Sequence, residues 1–165
     1  MALHIYATVE GTKHGTFKGE GTGRQKNRIP GVAFAYEVVV PHDSTGKPSG
    51  RRQHQPVVFT KEWGASSPQF YQAAFTNETL KSVLVEFLTF TPDGKETVDH
   101  TFKLTNASIG KVAESVHIPA NAGPVIDPRQ LQEISMYFQK IEIVSLSGKT
   151  QTSDDWEITD AWEIT

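Results

Sequence analysis

Ser147-Gly148-Lys149-Thr150 carries the Gly-Lys-Thr ending of a phosphate-binding loop, whose backbone N–H groups cradle phosphate oxygens while the lysine reaches the outer phosphates. That loop needs a glycine five residues before Gly148, and position 143 is Ile, so the nucleotide reading fails. Gly19-x-Gly21-x-Gly23 sits in a basic stretch with no strand before it and no helix after it, and a pyrophosphate would find no helix N-terminus there. The 6 histidines (His4, His14, His42, His54, His100, His117) show no tight ligand spacing, and neither an HExxH pair nor a Gly-x-Ser-x-Gly elbow occurs. With 0 Cys, thiolate zinc sites, iron–sulfur clusters, disulfides and cysteine nucleophiles are excluded together. No catalytic, cofactor or metal residue is therefore assigned, although carboxylates from different strands can meet in three dimensions as in a glycosidase.

The elements that would position any site read mostly as strands. Leu3, Ile5, Ala7 and Val9 alternate with His4, Tyr6, Thr8 and Glu10, the pattern of a half-buried strand. Val32, Phe34, Tyr36, Val38 and Val40 repeat it as one strand with a core face, and Ala33, Ala35 and Glu37 form a second face of small residues able to meet another surface. Val57 to Trp63, Val83 to Thr91 and Val98 to Asn106 read as further strands, the second apolar on both faces as a central strand should be. Leu131 to Leu146 reads as one long strand whose apolar parity flips after Phe138, which calls for a bulge or a change of partner. Ser67-Pro68 supplies an N-cap hydroxyl and a first-turn proline for one helix reaching Asn77. Loops are expected at 11 to 30, Pro41 to Pro56, Pro92-Asp93-Gly94 and 113 to 130. Trp63, Phe70, Tyr71, Phe75, Phe87, Phe90 and Phe102 fall at core-compatible spacings. The expected fold is mainly β: a barrel or sandwich of two antiparallel sheets with one α-helix and a long hairpin extension.

The chain has 165 residues, 37% of them hydrophobic, and a formal net charge of −3, which suits one globular domain without the overall basic footprint of a nucleic-acid binder. Charge is uneven. Lys13, Lys18, Arg24, Lys26 and Arg28 outweigh Glu10 and Glu20 in the first thirty residues, whereas Asp154, Asp155, Glu157, Asp160 and Glu163 are unopposed from 151 onward. These ends are either solvated flanks or, on opposite faces of a ring, complementary surfaces that steer head-to-tail stacking, with Lys26, Arg28, Asp154 and Asp155 as the candidate stacking charges. Trp156-Glu157-Ile158-Thr159 recurs as Trp162-Glu163-Ile164-Thr165, too short a repeat for a solenoid. Residues 1–156 are read as one domain and 157–165 as an acidic tail. No apolar run has the length of a membrane span or the continuity of a signal peptide, so the sequence reads as cytosolic and Asn77-Glu78-Thr79 and Asn106-Ala107-Ser108 carry little weight as glycosylation sites.

From Pro41 the residues become more specific: Gly50-x-Arg52-x-His54-x-Pro56, then Phe59-Thr60-Lys61-Glu62, Ser66-Ser67-Pro68-Gln69-Phe70-Tyr71, Thr79-Leu80-Lys81-Ser82, and the closing Leu131-Gln132-Glu133-Ile134, Tyr137-Phe138-Gln139-Lys140-Ile141-Glu142 and Ser153-Asp154-Asp155-Trp156. In order and spacing this series resembles the hemolysin-coregulated protein family, the tube subunit of the bacterial type VI secretion system, over nearly the whole chain. Residues 11 to 30 are more basic and Gly-rich than the family pattern, and 157 to 165 run past its end. The resemblance implies a structural, non-enzymatic subunit that forms homohexameric rings, stacks them into a tube inside a contractile sheath, holds small effector proteins in the lumen and meets a valine–glycine repeat spike protein. It implies no cofactor, nucleic acid or membrane insertion, and export from the cytoplasm without a signal peptide. The family's extension maps onto Pro41 to Pro56, with Pro41, Asp43, Thr45, Lys47, Arg51, Arg52 and His54 reaching a neighbouring subunit or ring, and Ala33, Ala35 and Glu37 are candidates to face the lumen. Alternatives from the residues themselves are a phage-like tail tube protein, a secreted ligand-binding β-sandwich using exposed aromatics, and an enzyme whose site is assembled from distant strands.

Overall fold

A computed structural model describes residues 3–19, 27–116, 118 and 130–156. Among the described residues twelve strands and one helix occur in the order β1 (Leu3–Gly11), β2 (Gly15–Thr16), β3 (Ile29–Gly31), β4 (Ala33–Ala35), β5 (Val38–Val39), β6 (Gln53–His54), β7 (Val57–Glu62), α1 (Ser67–Phe75), β8 (Leu80–Phe90), β9 (Glu96–Val116), β10 (Gln130–Tyr137), β11 (Lys140–Ser145) and β12 (Thr150–Asp155). The fold is mainly β, two antiparallel sheets packed as a sandwich, not a closed barrel, with a single described helix and a hairpin arm.

β8 is central, with β1 on one side and β9 on the other, and its two apolar faces match that position. β9 is the element shared by both sheets. Its first half pairs with β8 and β11, and its second half, Ser108–Val116, pairs with β10. β10 pairs in turn with β7, and β7 with β4. The expected strand from Leu131 to Leu146 is thus two strands, and its parity flip marks a change of partner. At the break, Gln139 N–H donates to Thr105 and Asn106 carbonyls, while Asn106 takes φ +52° and its side-chain amide donates to Gln139 Oε1 at 2.8 Å. Asn tolerates this left-handed conformation better than most residues, which suits it to the corner.

Several boundaries differ from the periodic reading. The 32–40 segment is not one strand: β3 pairs with β1, β4 pairs with β7, and β5 leaves the sandwich to pair with β6. Only Phe34 and Tyr36 of its expected core face pack inward; Val32, Val38 and Val40 are exposed, because the chain changes partner at each end of β4. β9 extends ten residues beyond Asn106, so residues 113–116 are strand where a loop was expected. The helix stops at Phe75, and Asn77 with φ +52° ends it. Ser66, not Ser67, is the N-cap, and it makes no side-chain capping bond; Ser67 Oγ instead accepts from Gly64 N–H at 3.0 Å and from Lys61 Nζ at 3.0 Å. Trp63, Phe75 and Phe90 lie at the surface, whereas Phe70 is buried and Phe87 and Phe102 pack against the core.

The core runs between the sheets and under α1, through Val9, Phe17, Ile29, Phe59, Phe70, Leu80, Val85, Leu104, Ile134 and Ile141. Phe17 and Ile29 come from the stretch read as loop, so that stretch also contributes apolar anchors. Gly31 stands where a Cβ would lie 2.4 Å from the Phe59 ring, and its pairing with Ile5 of β1 leaves the backbone little room to retreat. Gly31→Ala is expected to destabilise the domain by about 1–3 kcal/mol through overpacking, read as a lowered urea midpoint with unchanged slope.

Candidate functional site: the clamped arm

The arm is a β-hairpin from Glu37 to Gln55. Its base is β5 on β6, with Gln55 N–H donating to the Glu37 carbonyl at 3.0 Å. Farther out Ser49 N–H donates to Pro41, and His42 bridges Pro48. The tip is organised by one carboxylate: Asp43 Oδ1 accepts from Thr45 N–H at 2.8 Å, Thr45 Oγ1 at 2.6 Å and Lys47 N–H at 3.0 Å. Gly46 supplies the positive φ of +86° that this turn demands. The Thr45 hydroxyl and the Lys47 and Thr45 amides hold the Asp43 carboxyl below its ordinary value. Of the expected extension residues, Asp43, Thr45, Lys47 and Arg51 are exposed and Pro41 is half-buried. Val38, Val39 and Val40, three consecutive apolar side chains, are each more than 40% exposed.

A two-stranded hairpin is marginal by itself. Here its return strand is clamped to β12. Arg52 donates from Nε to Asp154 Oδ2 and from Nη2 to Asp154 Oδ1 at 2.7 Å, a bidentate pair. His54 Nε2 lies 2.6 Å from Asp154 Oδ2, and its Nδ1 lies 2.6 Å from the Tyr36 hydroxyl. The imidazole is wedged between Phe138, at 5.3 Å between ring centres, and Trp156, at 4.9 Å. Tyr36, which also meets Phe138, connects this cluster to Phe102, and through it to Phe34 and Phe87 in the core.

Tyr36, His54 and Asp154 stand in the order of a nucleophile, base and orienting carboxylate. Burial and the Asp154 charge push the Tyr36 phenol above its ordinary value, which starves it of phenolate. Arg52 shares the Asp154 carboxylate that would orient the imidazole, so the arrangement performs as a structural clamp. The Arg52 hydrogen bonds outweigh partial burial, with His54 adding to them, and hold the Asp154 carboxyl below its ordinary value.

Other expected site residues lie elsewhere. Ala33, Ala35 and Glu37 are exposed on one side of the 33–37 segment, opposite inward-facing Phe34 and Tyr36. Arg28 is engaged within its own chain, with Nη2 at 3.3 Å from Glu86 Oε1 and Cζ 5.8 Å from the Tyr6 ring centre. Asp154 is likewise committed to Arg52 and His54, and Asp155 is half-buried opposite Lys140. Lys26 and the tail from Glu157 lie outside the described residues. Among the described residues no three His, Asp or Glu side chains gather as a metal site. The Arg52–His54–Asp154 cluster joins positions about a hundred residues apart, and strand periodicity carries no signal for such a contact.

This sandwich with its projecting arm is the fold of proteins solved as Hcp. One such crystal structure superposes with a TM-score of 0.86 and 25% identity, covering 96% of this chain and 100% of that one. The Hcp1 protein of E. coli EAEC 042 superposes with a TM-score of 0.81 and 29% identity, covering 94% and 99%. The "Major exported protein" of Pseudomonas aeruginosa is 28% identical over 170 aligned positions, 94% of this chain and 96% of that protein. Residues 6–144 match the family described as "Type VI secretion system effector, Hcp", and the chain belongs to that family.

Because the Asp154 carboxyl titrates below its unfolded value, its contribution is complete above about pH 4 and is lost as pH falls through the lower folded value. Asp154→Asn is expected to lower stability at pH 7 by about 1–3 kcal/mol and to speed hydrogen exchange at His54 and Gln55. In urea unfolding from pH 6 to pH 2 the gap between the two proteins should narrow only below the ordinary carboxylate value of 3.8.

Proposed function

We propose that this chain is the structural subunit of a type VI inner tube: six copies close into a ring, rings stack, and contraction of an outer sheath expels the column. Membership of the Hcp family supports the class. The observation that carries the finer reading is the arm, which holds three adjacent valines and its whole tip at the surface while Arg52, His54 and Asp154 fix its direction. A rigid exposed hairpin gains by burial only when another surface meets it, and a head-to-tail contact of this kind closes into a ring when its rotation permits. The exposed Ala33, Ala35 and Glu37 face is proposed to line the lumen, whose occupants are small effector proteins, and a valine–glycine repeat spike is proposed at the tube's end.

Residues 1–156 form the tube domain in this reading, and 157–165 an added tail. The chain is made in the cytoplasm and leaves through the apparatus, in keeping with the exported relative. Lys26, Arg28, Asp154 and Asp155 are the proposed stacking charges, of which Arg28 and Asp154 also have partners within the chain. Their attraction is a matter of exposed charge and fades with salt.

Light scattering on a sizing column followed by negative-stain imaging tests the assembly. The expected particle is a ring of six 18.3 kDa chains, or stacks of rings, and a stable monomer across a wide concentration range would overturn the reading. Val39→Asp at the arm's base is expected to leave the fold intact and weaken ring formation about tenfold or more. Lys26→Glu is expected to shorten stacks and flatten their salt dependence without dissolving the rings; indifference of stacking to both salt and charge reversal would remove the electrostatic contact.

A further inference from the structure

Residues 154–165 are a tandem repeat whose second copy has no part in the fold described above: Asp154-Asp155-Trp156-Glu157-Ile158-Thr159 is followed at once by Asp160-Ala161-Trp162-Glu163-Ile164-Thr165, with a single difference, Asp155 against Ala161. The first copy supplies two parts of the clamp. Its Asp154 binds Arg52 and His54, and its Trp156 ring covers His54. The second copy carries the same Asp-x-Trp pair six residues on, and each chain has one Arg52–His54 pair to receive it.

The strand bearing the first copy is weakly fixed in register. β12 is an edge strand whose residues Thr150 to Ser153 are all exposed; only Asp154 and Asp155 are partly covered. A strand that sends no apolar side chain into a core has little to resist sliding. A slide by an even number of residues keeps the same parity facing the arm, and the repeat length is even. Advancing β12 by one repeat would set Asp160 opposite Ile141, where Asp154 now stands, and Ile158 opposite Ile143, where Thr152 now stands.

The second exchange is favourable in chemistry. Thr152 borders a cavity of about 260 Å³ between the arm and β11, whose lining includes Val38, Val40, Ile141 and Ile143. Ile158 would bring an apolar side chain to a place now held by a hydroxyl. The opposing cost is a longer turn, residues 146–155 in place of 146–149, and loop-closure entropy rises slowly with length. The turn also loses the Gly148 N–H to Ser145 Oγ bond of 3.3 Å.

We infer that Arg52, His54 and the Val38–Val40 side of the arm form a binding site for an Asp-x-Trp segment preceded by an apolar residue, and that the chain's own Ile158-x-Asp160-x-Trp162 is its second occupant, entering by a six-residue advance of β12. The chain from Glu157 to Thr165 is long enough to carry both side chains into place. Tethering gives this segment a far higher effective concentration than the same segment on another molecule, so the occupant is the same chain. The arm stays clamped in both registers, while the domain's C-terminal end has two lengths.

Disulfide trapping tests this in the full chain, which has 0 Cys to interfere. Val144 lies opposite Gln151 in the observed register and would lie opposite Glu157 in the advanced one, on the face away from the arm. Val144→Cys with Gln151→Cys reports the first register and Val144→Cys with Glu157→Cys the second, since directly opposed strand residues satisfy disulfide geometry. Under reversible oxidation the second pair should cross-link as a minor within-chain product. That product should rise at least about fivefold when Asp154→Asn and Trp156→Ala are added, and vanish when Asp160→Asn and Trp162→Ala are added instead. The inference is overturned if the second pair links no better than Val144→Cys with Thr159→Cys, or if its product forms only between chains. Should the Asp154→Asn, Trp156→Ala protein fail to fold, the minor product in the otherwise unaltered chain, and its dependence on Asp160 and Trp162, decides the matter. None of these readouts requires ring formation, so failure here and failure of the tube reading are distinguishable.

Discussion

A strand of 21 residues spans about 65 Å if straight, too long for one sheet of a small sandwich. β9 therefore has to serve both sheets, and the rest of the architecture follows from how it does so. Its first half is hydrogen-bonded on both edges, by β8 and β11, and its second half carries β10. Asn106 with positive φ, faced by the break between Tyr137 and Lys140, is the joint. Twist accumulates along so long a strand and turns its two halves toward different layers, while Leu104 and Ala107, three apart, both remain in the core because the backbone turns between them.

Strand existence was legible wherever burial on one face imposed alternation. β1, β7 and β8 follow their period-two patterns, and the apolar two-sided character of β8 identified its central place. Partner changes were legible only as irregularity. The flip after Phe138 signalled an event without saying that β9 was the common partner, and nothing in Val32 to Val40 showed that alternation continues while pairing passes from β1 to β7 to β6. Alternation records which side of a backbone is apolar; it carries no record of which neighbour holds the other edge. A loop from Pro41 to Pro56 was legible through its Pro and Gly content and the family resemblance made it an arm, but its clamp was not legible, because a contact between Arg52 and Asp154 is a consequence of tertiary closure.

Two ionisable side chains are buried at opposite ends of the helix. Lys61 has 0% exposure, donating to Ser67 Oγ and to the Glu62 carbonyl at 2.6 Å near the helix start. Glu78 has 1% exposure just past the helix end and accepts from His14 and from the Lys13 and His14 amides of the β1–β2 turn. Burial alone would push the Glu78 carboxyl up, but the His14 and Lys13 donors reverse that and leave it below its ordinary value. A nine-residue helix with an exposed Phe75 cannot be held by its apolar stripe alone. The two polar ties fix its ends, and because a hydrogen bond is directional where apolar contact is not, they set the helix's orientation as well as its attachment.

The same division of labour explains why the arm is clamped with charge. Tyr36, Phe138 and Trp156 would hold an apolar side chain at position 54 in contact, but aromatic surfaces tolerate sliding and rotation. The bidentate Arg52–Asp154 pair does not, since both oxygens and both nitrogens must be in plane and in register. An exposed hairpin that is to meet another molecule gains affinity from being held in one direction beforehand, as ordering on binding subtracts from whatever the contact supplies. Placing the aimed interaction at the base, under Trp156 and beside the core aromatics, shields it from solvent enough to stay strong, and leaves the valine side chains and the tip exposed. The arm's exposed apolar surface and its polar clamp are thus complementary: the first is left open to solvent, and the second keeps that surface from collapsing onto its own chain.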